Sequence, residues 1–260
     1  MGNVIGFSMF TLTVRTLLRR CVGRGFASSL AMSKEQTPLV DAVQAGSMGE
    51  KCFLVDENDK IIGQASKKEC HFIKEDGDIP LHRAFSTFLF NKKGDLLLQK
   101  RSDTKITYPN HYTNTCCSHP VADFPGEDEE QNAIGIKRAA RRRLHYELGI
   151  PLDKLPLESF NYITRLYYKD EGNGKWGEHE ITYVLFIQAD VKVKPNSDEI
   201  SEISFVPRSE LDEYVPTLSG PLTPWFQLIL KHRLRLWWDH LDKLDEIKDH
   251  EHILRFDKTK

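Results

Sequence analysis

The sequence predicts an α+β fold. Two observations carry that expectation: several strand-like apolar runs stand beside only a few helical stretches, and the two do not alternate. A third is size. With 260 residues, 40% of them hydrophobic, the chain can bury one full core with a short extra segment.

In chain order, residues 51–56 and 61–65 read as a hairpin around Asn58-Asp59. Residues 82–91 form a strand rich in Phe and Leu. Asn91-Lys92-Lys93-Gly94 turns it into a second strand at 96–101. An acidic loop covers 120–130. Apolar residues then recur at helical spacing over 131–148, and Gly149 supplies a C-cap. Strands are expected at 160–168 and 181–189. Thr223-Pro224 opens a long final helix, with Thr as N-cap and Pro in the first position. That helix carries Trp225, Trp237 and Trp238. Residues 51–260 are read as one catalytic domain, 34–50 as a linker and 1–33 as a leader.

The leader has its own composition. Arg15, Arg19, Arg20 and Arg24 are its only charges, and Glu35 is the first acid in the chain. An Arg-rich, hydroxyl-rich, acid-poor start is that of a transit peptide, with a mitochondrion preferred to a plastid. Met32 and Met48 offer internal starts for a cytosolic form. The formal net charge of −2 gives no basic footprint for nucleic acid. No apolar run reaches the roughly 20 residues of a membrane-spanning helix. The five cysteines, Cys21, Cys52, Cys70, Cys116 and Cys117, form no C-x-x-C pair and suit a reducing compartment.

Chemistry concentrates in two short runs. Glu178 and Glu180 alternate by two at the start of an apolar stretch, so a strand would point both carboxylates to one face. Two such carboxylates repel, and tend to hold a cation or share a proton. Cys117 and His119 repeat that spacing. His71 and His82 flank a polar loop, and Cys70 beside His71 would face away from it on a strand. A lone histidine is more often a satisfied core or surface group. Taken with His119, Glu178 and Glu180, the two make a three-imidazole, two-carboxylate set. Such a set suits zinc, manganese or magnesium.

The segment Arg142-Arg143-Leu144-His145-Tyr146-Glu147-Leu148-Gly149-Ile150 resembles the core of a Nudix box. Arg143 and Tyr146 stand where two metal-binding glutamates are expected, and only Glu147 remains. One carboxylate can meet a magnesium ion carried by phosphate oxygens, but cannot assemble a multi-metal hydrolytic site. Together, Asn114-Thr115-Cys116-Cys117-Ser118-His119-Pro120, Trp176-Gly177-Glu178-His179-Glu180, this degenerate box and Thr223-Pro224-Trp225-Phe226 resemble the type 1 isopentenyl-diphosphate Δ-isomerases. The resemblance runs from Lys51 to Trp238. It implies a Nudix-like mixed β-sheet sandwiched by helices, with an N-terminal hairpin and a long C-terminal helix.

The resemblance also implies roles. Cys117 and Glu180 would be the catalytic pair, with Tyr168 beside the acid and Trp225 over the hydrocarbon. His71, His82, His119, Glu178 and Glu180 would hold a divalent metal, Zn2+, Mn2+ or Mg2+. Lys67, Arg101 and Lys105 would bind the diphosphate of a small-molecule substrate, and Glu147 the Mg2+ that comes with it. Moving a double bond in an unactivated alkene needs an acid on one face and a base on the other. Glu180 is expected as the acid and Cys117, as thiolate, as the base, its pKa lowered from about 8.5 by nearby positive charge. An aromatic face suits a tertiary carbocation, and water must be kept out. Two rivals stand beside this reading: a Nudix hydrolase of nucleoside diphosphates, and a metal-binding scaffold without activity. The missing glutamates oppose the first, and the retained Cys117/Glu180 pair opposes the second.

Overall fold

The computed structural model describes residues 46–256, and the leader lies outside them. Strands β1 (Lys51–Val55) and β2 (Ile61–Ser66) form the expected hairpin. Asp59 takes the left-handed turn conformation at φ 66, which Asp tolerates better than most residues. Strand β3 (His82–Phe90) is buried along its whole length, which explains its dense Phe and Leu content. It turns into β4 (Leu96–Arg101) as the sequence predicts.

β3 is the frame of the molecule. On one side it runs parallel to β8 (Glu178–Gln188), in register from His82↔Glu180 to Phe90↔Gln188. β8 pairs antiparallel with β7 (Asn161–Asp170), and β7 pairs parallel with β10 (Ile253–Arg255). Along its other side β3 meets β1 at its start, then β6 (Cys116–Ser118), then β4. β4 in turn carries β5 (Tyr112–Thr113) and β9 (Ile200–Val206).

The strand period of two divides the core. Phe85 and Leu89 of β3, with Tyr183 and Leu185 of β8, face a long helix (Ile134–Leu148) through its Ile136, Ala140 and Leu144. Phe88 and Phe90, with Val184 and Phe186, face the opposite way. There they meet Phe226, Ile229, Leu234, Trp237 and Trp238. The mixed sheet is thus held between helices. His82, Glu178 and Glu180 have the same parity as Phe88 and Phe186, which sends them to the C-terminal helix side.

Several expectations need correction. A short helix, α1 (Lys67–His71), follows β2 in a stretch where Cys70 and His71 were read as neighbours on a strand. Cys70 is therefore helical, and its Sγ lies 3.8 Å from the Ala65 carbonyl. A capping box builds α1: Glu69 N–H donates to Ser66 Oγ, and Ser66 N–H to Glu69 Oε2 at 2.8 Å. The stretch 131–148 is not one helix. Asn132 and Ala133 take φ 52 and 54, so the regular helix, α2, begins at Ile134 and ends at Gly149 with φ 63. A Cβ on Gly135 would fall 2.4 Å from the Glu127 carbonyl, which holds the break tightly against the preceding loop.

A four-residue helix, α3 (Leu211–Tyr214), precedes the final helical run. That run is α4 (Pro224–Ile229), a π-helical turn (Leu230–Leu234) and α5 (Arg235–Asp239). Thr223 precedes α4 without capping it, because its Oγ1 donates to Thr113 Oγ1 instead. β8 starts at Glu178, three residues before the expected position, so both carboxylates sit inside the strand. The last part of the expected linker is also structural. Met48 and Glu50 accept from the backbone N–H groups of Lys68 and Lys67, which fastens this segment to α1.

Candidate active site

Five strongly buried side chains converge at one end of the β3/β8 pair. His71 comes from α1, His82 from β3, His119 from just after β6, and Glu178 and Glu180 from β8. One ligand atom from each lies within 4.8 Å of all the others. Backbone carbonyls orient two of the rings: His71 Nδ1 is 2.7 Å from Lys67 O, and His82 Nδ1 is 2.9 Å from Pro80 O. A carbonyl only accepts, so each Nδ1 carries a proton and each Nε2 turns a lone pair inward.

The inward atoms crowd one another. His82 Nε2 is 3.2 Å from His119 Nε2, and His71 Nε2 is 3.0 Å from Glu178 Oε2. Yet among the described residues Glu178 Oε2 has no hydrogen-bond donor, because His71 has spent its proton on Lys67. His119 Nε2 is 3.0 Å from Glu180 Oε1, and His82 Nε2 is 3.6 Å from it. Lone pairs and carboxylates packed this closely repel unless a cation lies among them, so the residues fit a divalent metal.

Protonation follows from these contacts. Burial, with the charge of His82 adding to it, lowers His71, and burial lowers His119 also. Both are thereby neutral, the form that binds metal. Burial opposes charge on His82 too, but the hydrogen bond and charge of Glu180 outweigh it and lift this group to about 9, so in the free chain its Nε2 takes a second proton, which a bound metal would displace. Burial and the Glu180 charge raise Glu178 well above the usual carboxylate range. Glu180 goes the other way, since hydrogen bonds from His119 and His82 overcome its burial. Tyr168 O–H donates to Glu180 Oε2 at 2.7 Å, with Tyr168 and Glu180 opposite one another across β7 and β8.

Cys117 lies across the cavity on β6, beside Ser86 of β3. Trp225 Nε1–H reaches its Sγ at 3.1 Å, and the thiol donates to Asn114 Oδ1 at 3.1 Å. The expectation that positive charge lowers its pKa is not met. Burial pushes it up to about 11, although hydrogen bonds and Arg101 pull down. Cys117 of the free chain is a thiol. Cys116 faces the other way, into the core beneath α2. Trp225 also donates to Thr113 Oγ1 at 3.0 Å, and Arg101 lies 5.9 Å from its ring.

Lys67, Arg101 and Lys105 line the same cavity as His71, His119, Cys117, Tyr168, Glu178, Glu180 and Trp225. Burial and the neighbouring Arg101 bring Lys105 down to about 8, despite its ion pair with Glu199. Two expected site residues are not in the cavity wall, His82, which meets His119 behind it, and Glu147. Glu147 is buried, and Arg143 holds it through Nε at 3.0 Å and a terminal nitrogen at 2.7 Å. Arg143, which also reaches Glu199 at 3.2 Å, stands in the wall instead. The sequence reading missed Arg143, Ser86, Ser118, Ser47 and Met48. Arg143 left a signal, a basic residue at a glutamate position of the box. Ser86 left none, because only the tertiary pairing of β3 with β6 brings it to Cys117.

The NUDIX domain family matches residues 80–226 of this chain. Isopentenyl-diphosphate Delta-isomerase 1 of Mesocricetus auratus is 48% identical over 227 residues, covering 86% of this chain and 100% of that protein. The chloroplastic Isopentenyl-diphosphate Delta-isomerase I of Arabidopsis thaliana is 46% identical, over 83% of this chain and 76% of that one. A solved structure of a Deinococcus radiodurans protein superposes with a TM-score of 0.50 at 17% identity, covering 71% of this chain and 99% of that one. At that identity the likeness speaks to fold alone.

Proposed function

The chain belongs to the type 1 isopentenyl-diphosphate Δ-isomerases of the Nudix superfamily, and from that premise we propose how its residues divide the work of interconverting isopentenyl and dimethylallyl diphosphate. Isomerisation adds a proton at carbon 4 and removes one from carbon 2, through positive charge at carbon 3. The observation that supports the assignment best is the placement of two proton carriers in one cavity. Glu180 and Cys117 project from strands on either side of β3, with the Trp225 indole reaching the thiol.

In the direction from isopentenyl diphosphate, Glu180 gives the proton and Cys117 accepts one. Tyr168 orients the carboxyl group through its hydrogen bond. The Trp225 face lies against the developing cation, an interaction worth roughly 2 kcal/mol when desolvated. In the return direction the two carriers exchange roles, since both directions share one transition state. A second reading rests on the thiol held at about 11 and the Glu180 carboxylate held low. In it Cys117 is the donor and Glu180 the acceptor.

Lys67, Arg101 and Lys105 anchor the diphosphate and so locate the reactive tail. Arg143, in the cavity wall beside Glu147, would add a further cation for phosphate oxygens, and Glu147 would hold the Mg2+ that accompanies the diphosphate. When held by His71, His82, His119, Glu178 and Glu180, Zn2+, Mn2+ or Mg2+ supplies the charge that fixes the position and acidity of Glu180. The leader, residues 1–33, directs the precursor to a mitochondrion. A plastid, the location in the name of the Arabidopsis relative, is the other destination.

Exchange in heavy water tests the division of roles. A variant that keeps only the proton donor still protonates isopentenyl diphosphate, and returns it labelled at carbon 4 without isomerising it. With Glu180 as donor, Cys117→Ala gives that label and Glu180→Gln does not. The opposite pattern transfers the roles to the second reading. Label in neither variant removes both.

A further inference from the structure

We propose that Tyr108 and Asp170 form a latch that seals the cavity beside Trp225 and keeps water from the carbocation. The proposal rests on the reading of Trp225 as the cation's aromatic face. Tyr108 belongs to the segment between β4 and β5, whose Lys105, Ile106 and Thr107 line the cavity. Its hydroxyl donates to Asp170 Oδ1 at 2.7 Å. Asp170 is the last residue of β7 and lies opposite Glu178 in β8. The hydrogen bond therefore joins the diphosphate-facing wall to the strand pair that carries the acid.

Three further observations mark Tyr108 as a positioning residue. Its ring meets the Trp225 ring edge-on, with centroids 5.3 Å apart and planes at 90°. Its backbone is left-handed, at φ 48, a conformation uncommon for a bulky residue and costly to hold. Arg101 holds that backbone by donating from Nε to Tyr108 O at 3.1 Å and to Thr107 O at 3.2 Å. The far side is fitted too. Gly172 N–H donates to the same Asp170 oxygen at 2.8 Å, and a Cβ on Gly172 would fall 3.3 Å from the Tyr108 hydroxyl.

If the latch opens, the reaction gains a second outcome. Glu180 still protonates carbon 4, but a water oxygen bonds to carbon 3 and passes a proton to the base. Substrate plus water then gives the tertiary alcohol diphosphate, with no change of oxidation state. The fraction of turnovers ending in alcohol does not depend on how much enzyme is folded, so it separates shielding from a general loss of structure.

The test measures alcohol against dimethylallyl diphosphate, from isopentenyl diphosphate and magnesium, for the full chain and five variants. Tyr108→Phe keeps the ring and loses the hydroxyl. The expected result is a roughly tenfold higher alcohol fraction, the weight of one hydrogen bond. Asp170→Asn, which still accepts from the hydroxyl, is expected to stay near the parent. Asp170→Ala is expected to match Tyr108→Phe, and the double variant Tyr108→Phe/Asp170→Ala to go no further. Trp225→Leu serves as the control for the reading beneath. A raised alcohol fraction in Trp225→Leu with none in Tyr108→Phe overturns the latch and leaves Trp225 in its role. No rise in either variant overturns both.

Discussion

At the scale of the residue, one position decides between neighbours. Cys116 and Cys117 are adjacent, and extended backbone sends them to opposite faces, one into the core beneath α2 and one toward Trp225. Cys117→Ala and Glu180→Gln are each expected to lower turnover by roughly 10² to 10⁴, the usual weight of a positioned acid or base. Cys116→Ala is expected to keep turnover and to lose about 1 kcal/mol of stability, the cost of a small void in a packed core. Steady-state rates and thermal unfolding of the three variants check this, and an inactive Cys116→Ala beside an active Cys117→Ala reverses the assignment. Lys105 gives a pH dependence. Held at about 8, it is charged below that value and neutral above it. Diphosphate affinity is therefore expected to weaken as pH rises through about 8, and Lys105→Met to flatten that part of the profile. The alternation at 117/119 and 178/180 was legible because a strand period is local. The thiol's raised pKa was not, since it sums the burial contributed by β3, α4 and the loop before β6.

At the scale of the element, α1 sets two functional groups at once, Lys67 in its first turn and His71 in its last. The Ser66-Lys67-Lys68-Glu69 capping box was present in the sequence but lay between the hairpin and the loop flanked by His71 and His82, where no helix was read. Its five residues are too few for an apolar period, so only the capping signal could have announced it. Ser66→Ala is expected to cost about 1 kcal/mol and to speed metal loss to a chelator, with the sheet intact by circular dichroism. His119→Ala is expected to abolish tight binding of one transition-metal or zinc ion per chain. Elemental analysis after purification without added metal checks it, and unchanged metal content defeats the proposed site. The strands β3, β4, β7 and β8 were all visible as apolar runs between turns. β10, with three residues, was not, because its pairing with β7 rests on tertiary contact. The break at Asn132 and Ala133 was hidden for a related reason: helical spacing continues through it, and only the close approach of Gly135 to Glu127 imposes it.

At the scale of the whole molecule, the catalytic unit reaches further toward the N-terminus than the sequence suggested. Ser47 and Met48 line the cavity, and Met48 is tied to Lys68. A chain started at Met32 is expected to keep full activity, because the proposed site lies beyond it. One started at Met48 is expected to lose affinity for the diphosphate, since it lacks Ser47 and begins the chain at the residue that ties this segment to α1. Kinetics of the two truncations, with location of reporter fusions, check both this and the proposed import signal; a diffuse signal from the full-length fusion defeats the latter. The register of β3 with β8 has a consequence of another kind. His82 and Glu180 are strand partners although roughly a hundred residues lie between them, and closing so long a loop costs entropy before any contact repays it. The five ligand atoms therefore come together only near the end of folding. A metal ion that meets a newly made chain has no preformed nest to nucleate around, and its binding is best viewed as a late seal on a structure that had to find its own topology first.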